Sequence, residues 1–80
     1  MSSTTTEAGA PAIRDIFRRV LELDDVTDDT SFFDVGGDSL LATRVLSAIA
    51  RELGVELTFD DFVIAPTPAG LATQVDGRRA

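Results

Sequence analysis

The stretch FFDVGGDSLLATRVLSAIA, residues 32–50, decides the fold. From Ser39 onward its apolar residues recur with the spacing of an amphipathic helix that ends at Gly54, because a helix turns about 100° per residue. One sector of the helical wheel holds Leu41, Ala42, Val45, Leu46, Ile49 and Leu53. The opposite sector holds Leu40, Thr43, Arg44, Ser47 and Arg51. The first sector is therefore predicted to face a core, and the second to face solvent.

Three further segments have helical features. Pro11 suits the first turn of a helix whose apolar stripe follows. That stripe consists of Ile13, Ile16, Phe17, Val20 and Leu21. Thr58 and Asp61 predict a capped short helix, and Thr67 with Pro68 predicts the start of a last one. Since no segment alternates with period two, we expect an all-α fold, a small four-helix bundle with three longer helices and one short helix.

The same patterns predict the domain boundaries. Residues 1–10 are small and polar and are expected to form a disordered N-terminal tail, residues 11–76 the folded domain, and residues 77–80 a frayed end. The long loop before Ser39 is expected to be held by its own apolar side chains. We expect these to be Phe32, Phe33 and Val35. The short helix is expected to bury Phe59, Phe62 and Val63.

Composition excludes several classes of function. A chain of 80 residues forms one small domain, and its formal charge of −7 disfavours nucleic acids and membrane surfaces as partners. It has no Cys, and its first ten residues lack the pattern of a signal peptide, so we expect a cytoplasmic protein. The aspartates of the long loop lack the ligand spacing of an EF-hand, and no metal site is predicted.

Ser39 allows three interpretations. Gly37-Asp38-Ser39-Leu40 spells the serine block of a hydrolase family, but the chain contains neither His nor Lys to take the proton of the hydroxyl. No catalytic residue is therefore predicted. Asp38 and Ser39 are both good helix caps, and the glycines before them permit a turn with positive φ. Capping alone leaves unexplained why Leu40 follows on the polar side of the helix, where we expect a partner to dock.

These residues resemble a known family. FFDVGGDSLLATRV, with the helix before it and FDDFVIAPTPAGLA after it, is similar to carrier proteins of the thiolation type, most of all to the peptidyl or aryl carrier proteins of nonribosomal peptide synthesis. The resemblance runs from about Ile13 to Val75. It implies that Ser39 receives a 4′-phosphopantetheine arm from coenzyme A and that the chain is a non-catalytic carrier.

The resemblance also implies site residues and partners. Gly36 and Gly37 would leave room for a phosphopantetheinyl transferase, and Asp38 would help to hold the metal of that enzyme or would only cap the helix. An adenylation enzyme and downstream condensation, tailoring or thioesterase enzymes are the other expected partners. The expected docking residues are Leu40, Thr43, Arg44 and Ser47.

Two alternatives to a peptidyl carrier stay open at this point. Acyl carriers resemble the chain in Asp38-Ser39-Leu40, but typically have an acidic second helix, whereas this one exposes Arg44 and Arg51. An acyl carrier of a polyketide pathway is the alternative within the class, and a small helical adaptor without a prosthetic group is the alternative outside it. We expect a monomer and, because the chain opens with Met1 and stops soon after the last helix, a free-standing carrier.

Overall fold

The computed structural model describes residues 5–79, with side chains for residues 9–78, as a bundle of four helices. The helices are α1 (Thr5–Leu21), α2 (Ser39–Leu53), α3 (Phe59–Ile64) and α4 (Pro68–Arg79). No strand occurs within the described range. The prediction of an all-α bundle with three longer helices and one short helix is confirmed.

Three phenylalanine rings form the centre of the core. Phe17 of α1, Phe32 of the long loop and Phe62 of α3 are each fully buried. The Phe32 ring meets the Phe17 ring edge-on at a centroid distance of 5.2 Å and the Phe62 ring at 4.9 Å. Edge-to-face pairs add about 0.5–1.5 kcal/mol each to the stabilisation from burial. The loop that leads to α2 is therefore held by the same cluster that joins α1 to α3.

The start of α1 differs from the prediction. Helix α1 begins at Thr5 and contains Pro11 in its interior, so the prediction of a disordered tail is wrong for residues 5–10, and residues 1–4 lie outside the described residues. Gly9 is buried, and a Cβ on it would lie 3.5 Å from the Cβ of Ala72. The first part of α1 packs closely on α4 through small residues. Small residues give no apolar periodicity, so the sequence pattern did not predict this part of the helix.

The end of α4 also differs. The helix continues to Arg79 instead of fraying from residue 77, and Ala80 lies outside the described residues. Arg78 donates a hydrogen bond to the carboxylate of Asp61 at 2.7 Å and another to the carbonyl of Glu56 at 3.3 Å. These contacts hold the last turn of α4 against α3 and against the segment that precedes α3.

The predicted caps are present. Gly54 ends α2 with a φ of 72°, and its N–H donates to the carbonyl of Ala50. Thr58 and Asp61 form a reciprocal capping box at α3, in which each side chain accepts a hydrogen bond from the other residue's backbone N–H. The hydroxyl of Thr67 accepts the N–H of Gly70 at the start of α4.

Some predicted burial is wrong. Phe33 and Val35 are exposed in the loop, as are Phe59 and Val63 on α3, with exposed fractions between 38% and 49%. A helix of six residues has one inward position, and Phe62 occupies it. In the loop, Phe32 is buried as predicted, and Val26, which was not predicted, is buried as well.

Candidate functional site

The turn before α2 needs both of its glycines, for different reasons. Gly36 has a φ of 101°, a conformation that residues with a side chain rarely adopt, and it faces open space. Gly37 does not have a positive φ, which corrects the prediction for that residue. A Cβ on Gly37 would lie 2.3 Å from two carbons of the Phe32 ring, and its N–H donates to the Phe32 carbonyl at 3.0 Å. Gly37 thus allows the backbone to contact the core directly in front of Ser39.

Asp38 is the cap of α2. Its backbone is extended, its carboxylate accepts the N–H of Leu41 at 2.9 Å, and its carbonyl accepts the N–H of Ala42 at 2.8 Å. These are the two bonds that define an N-cap residue. One of the two interpretations given for Asp38, the helix cap, is observed directly. Ser39 is consequently not needed as a cap.

Ser39 is the first residue of α2 and is exposed to solvent. The backbone N–H groups of Ser39 and Leu40 find no acceptor among the described residues, as expected for the first two positions of a helix. The serine side chain thus lies beside two free donors and the positive end of the helix dipole. This environment favours an anion.

The outward face of α2 continues from this point. Leu40 is 65% exposed although it is a large apolar residue, and Thr43, Arg44 and Ser47 are exposed along the same face. The Thr43 hydroxyl donates to the carbonyl of Ser39 at 3.0 Å, so it is engaged within the helix. Leu40 thus lies on the solvent face of α2, as the helical wheel predicts. The buried residues of the helix are Ala42, Val45, Ala48 and Ile49.

A second set of exposed apolar residues was not predicted from the sequence. Its members, on the long loop and α3, are Phe33, Val35, Phe59, Val63 and Ile64. The Phe33 ring lies 5.8 Å from the Phe62 ring, so it packs against α3 with one side and faces solvent with the other. Ile64 is 78% exposed. Its exposure could have been predicted, because it lies about 200° from Phe62 around the axis of α3, and the two side chains cannot both face the core.

The described part of the chain contains neither a cluster of metal-binding side chains nor a membrane span. Between residues 5 and 79, no group of three or more acidic residues is placed to hold a metal ion. In the same range no helix has the length and hydropathy needed to cross a bilayer.

Comparison with known proteins identifies the family. The family model described as "Phosphopantetheine attachment site" matches residues 11–75. The chain belongs to this family. Membership confirms that the chain is a non-catalytic carrier whose prosthetic group is a covalent 4′-phosphopantetheine, and it excludes the adaptor without a prosthetic group.

Relatives place the chain among peptidyl carriers. It is 48% identical over 62 residues to the dimodular nonribosomal peptide synthase of Bacillus subtilis. The aligned region covers 78% of this chain and 3% of that protein. The chain thus corresponds to a small segment of that much longer relative. The resemblance to thiolation domains predicted from the sequence is confirmed.

Solved structures of the family share the fold. The solution structure of an active-site mutant of a peptidyl carrier protein matches with a TM-score of 0.86 and 32% identity, over 91% of this chain and 81% of that one. A peptidyl carrier protein in complex with the phosphopantetheine transferase Sfp and coenzyme A matches with a TM-score of 0.84 and 31% identity. This match covers 88% of this chain and 91% of that one. The carrier-like bundle is therefore shown by structure as well as by sequence.

Proposed function

We propose that Ser39 is the residue that carries the 4′-phosphopantetheine arm. The observation that supports this most strongly is the division of roles at the start of α2. Asp38 caps the helix, so the Ser39 hydroxyl at the next position is left exposed. Neither of the two bonds that define the cap uses the serine side chain, and solvent can reach it.

The residues around Ser39 fit the group. A phosphodiester on its hydroxyl would lie next to the free N–H groups of Ser39 and Leu40, at the positive end of the α2 dipole. When bound, the arm supplies a thiol that holds an acyl group as a thioester. The chain itself contains no Cys, so it has no thiol of its own for this purpose.

A transferase is needed to modify Ser39. A serine hydroxyl is a weak nucleophile unless a base takes its proton, and the chain has neither His nor Lys for that role. We expect a phosphopantetheinyl transferase to provide the base and the metal ion. The solved complex of a related peptidyl carrier protein with such an enzyme supports this expectation. Gly36 and Gly37 present a turn without side chains to that enzyme.

The loaded carrier would serve nonribosomal peptide synthesis or related secondary metabolism. It would accept an amino, aryl or peptidyl acid from an adenylation enzyme and present it to condensation, tailoring or thioesterase enzymes. The relatedness to a nonribosomal peptide synthase supports this role over that of an acyl carrier in a polyketide pathway. The described bundle, from Thr5 to Arg79, would form the carrier domain and act as a cytoplasmic monomer.

The docking surface for these enzymes would be the outward face of α2. Leu40 supplies exposed apolar area beside the attachment residue, and Arg44 and Ser47 continue the face by one and two turns. Thr43 would contribute its methyl group, because its hydroxyl is engaged with the Ser39 carbonyl. Partners must bind and release a shuttle in turn, which favours a small interface.

Intact-mass analysis tests the proposal. The full chain is incubated with coenzyme A and a phosphopantetheinyl transferase of broad specificity. We expect a mass increase of one arm in the parent protein and none in Ser39→Ala.

A further inference from the structure

A groove lies between α1 and α2 on the side that carries Leu40. Its volume is about 310 Å³. Apolar side chains from both helices line it, namely Ile16, Val20, Leu40 and Ala48. Leu40 lies one residue beyond Ser39 along α2, so the groove begins beside the proposed attachment site.

Basic side chains dominate the polar lining of this groove. Arg19, Arg44 and Arg51 line it together with Thr43 and Ser47, and no acidic residue does so. This concentration is unusual for a chain with seven basic and fourteen acidic residues. A groove of this composition is complementary to a ligand that carries negative charge around an apolar group.

The three arginines are not equivalent. Arg19 is already paired, since it donates to both carboxylate oxygens of Glu52 at 2.9 Å and lies 3.4 Å from Asp15. Arg44 and Arg51 are exposed, and no carboxylate lies within 4.0 Å of either among the residues with described side chains. Two guanidinium groups therefore remain available to a partner.

The spacing of these two arginines defines the partner further. They are seven residues apart on one helix, which corresponds to about 10.5 Å along the axis of α2. Residues at i and i+7 of a second helix have the same spacing and lie on one face of it. A helix laid along the groove could thus present one carboxylate to each arginine and an apolar side chain between them to the groove.

We propose that the groove between α1 and α2 docks an acidic amphipathic helix of a partner protein. The helix carries carboxylates at i and i+7, paired with Arg44 and Arg51, and an apolar residue between them that enters the groove. This inference rests on the proposed carrier function, because Leu40 and Arg44 belong to both surfaces. It adds Arg51 and the half-buried Val20 of α1 to the docking surface, above the buried Ile16 at the floor of the groove, and specifies the charge of the partner.

A titration followed by NMR tests the proposal with a defined probe. The probe is a synthetic helical peptide with Glu at i and i+7 and Leu at i+3 and i+4, added to the ¹⁵N-labelled full chain. Matched peptides replace both Glu by Gln or move the second Glu to i+5. We expect shift changes along Ile16, Val20, Leu40 and Ala48 with the first peptide. The matched peptides should bind several-fold more weakly.

Protein variants complete the test. Arg44→Ala and Arg51→Ala should each weaken binding about two- to fivefold, as expected for exposed ion pairs, and added salt should reduce the difference. Gly77→Glu is the matched control, since it changes the net charge by the same unit on α4, where an added side chain meets open space. It should leave binding unchanged.

The proposal is overturned if the Glu and Gln peptides bind equally well, or if neither arginine substitution weakens binding. It is also overturned if the shift changes are confined to α3 or arise from self-association of the chain. The absence of any shift change would overturn it as well. Arm transfer to Ser39, measured by mass on the same samples, is independent of these results. Failure of the groove proposal is therefore distinguishable from failure of the carrier proposal.

Discussion

Gly37 contacts the ring of Phe32 so closely that a Cβ on the glycine would lie 2.3 Å from two ring carbons. Phe32 in turn packs against Phe17 and Phe62 at the centre of the core. The turn that precedes Ser39 is therefore fixed to the core by a contact that only glycine permits. The position of Ser39, the proposed attachment residue, follows from core packing as well as from helix capping.

Gly37→Ala should destabilise the domain for this reason. The added methyl group must displace the Phe32 ring or the turn, and overpacking of this kind costs about 1–3 kcal/mol. Gly77→Ala is the matched control, because position 77 is helical and open, and Ala is favoured over Gly in a helix by about 0.5–1 kcal/mol. Urea denaturation of both variants measures the two effects. Equal stability of Gly37→Ala and the parent would contradict the close contact.

Asp38 gives a prediction that separates capping from charge. Asp38→Ala removes the acceptor for the Leu41 N–H and should cost about 0.5–2 kcal/mol. Asp38→Asn keeps a capping oxygen and should lie within a few tenths of a kcal/mol of the parent, since Asn caps about as well as Asp. Thermal denaturation of the pair provides the measurement. If Ala were tolerated as well as Asn, Asp38 would not stabilise α2 as described.

Asp61 makes stability depend on pH. The pKa of its carboxyl is lowered from the usual 3.8, first by the backbone N–H of Thr58, then by the Thr58 side chain and the Arg78 guanidinium, while burial opposes the shift. Because the folded-state pKa is depressed, the stabilisation is complete above the unfolded value near 4 and is lost as pH falls through the folded value. Asp61→Asn should thus lower the melting temperature at pH 7.

The difference between Asp61→Asn and the parent should shrink as the pH falls below about 4. Melting curves from pH 7 to pH 3 measure it. A difference that stays constant over this range would mean that the charge of Asp61 does not stabilise the fold.

Leu40 and Ile49 test the two faces of α2. Leu40 is 65% exposed and Ile49 is fully buried. Leu40→Asp should leave the melting temperature nearly unchanged but slow loading by a partner adenylation enzyme. Ile49→Ala should cost about 2–5 kcal/mol. A Leu40→Asp variant that unfolds would place this residue in the core, and one that loads at the parental rate would remove it from the docking surface.

How far the sequence allows prediction differs between α2 and the rest of the chain. The long apolar stripe of α2 and its terminal Gly54 were enough to predict its bounds and its exposed Leu40, because periodicity over 15 residues averages out individual exceptions. The start of α1 was missed because Gly9 and Ala10, which pack on the bundle there, carry no large apolar side chains. Contacts between small residues on different helices leave no local signal.

Which residues of the short elements are buried could likewise not be predicted from the sequence. Phe33, Phe59 and Val63 are as apolar as Phe62, yet only Phe62 is enclosed. Which side of a six-residue helix faces inward depends on where the rest of the chain is, and that information is not contained in the segment. The turn before Ser39 could be predicted in part, because the positive φ of Gly36 restricts the residues that can occupy that position.

The central claim is that Ser39 carries the arm. Its most direct test is intact-mass analysis of the parent, Ser39→Ala and Ser31→Ala after incubation with coenzyme A and a broad-specificity transferase, followed by peptide mapping. Ser31→Ala is the matched control, because it removes a serine hydroxyl from the preceding loop. We predict a single-arm mass increase for the parent and Ser31→Ala, located on the peptide that contains residue 39, and none for Ser39→Ala. An arm that still attaches to Ser39→Ala, or a parent chain that gains none, would contradict the account.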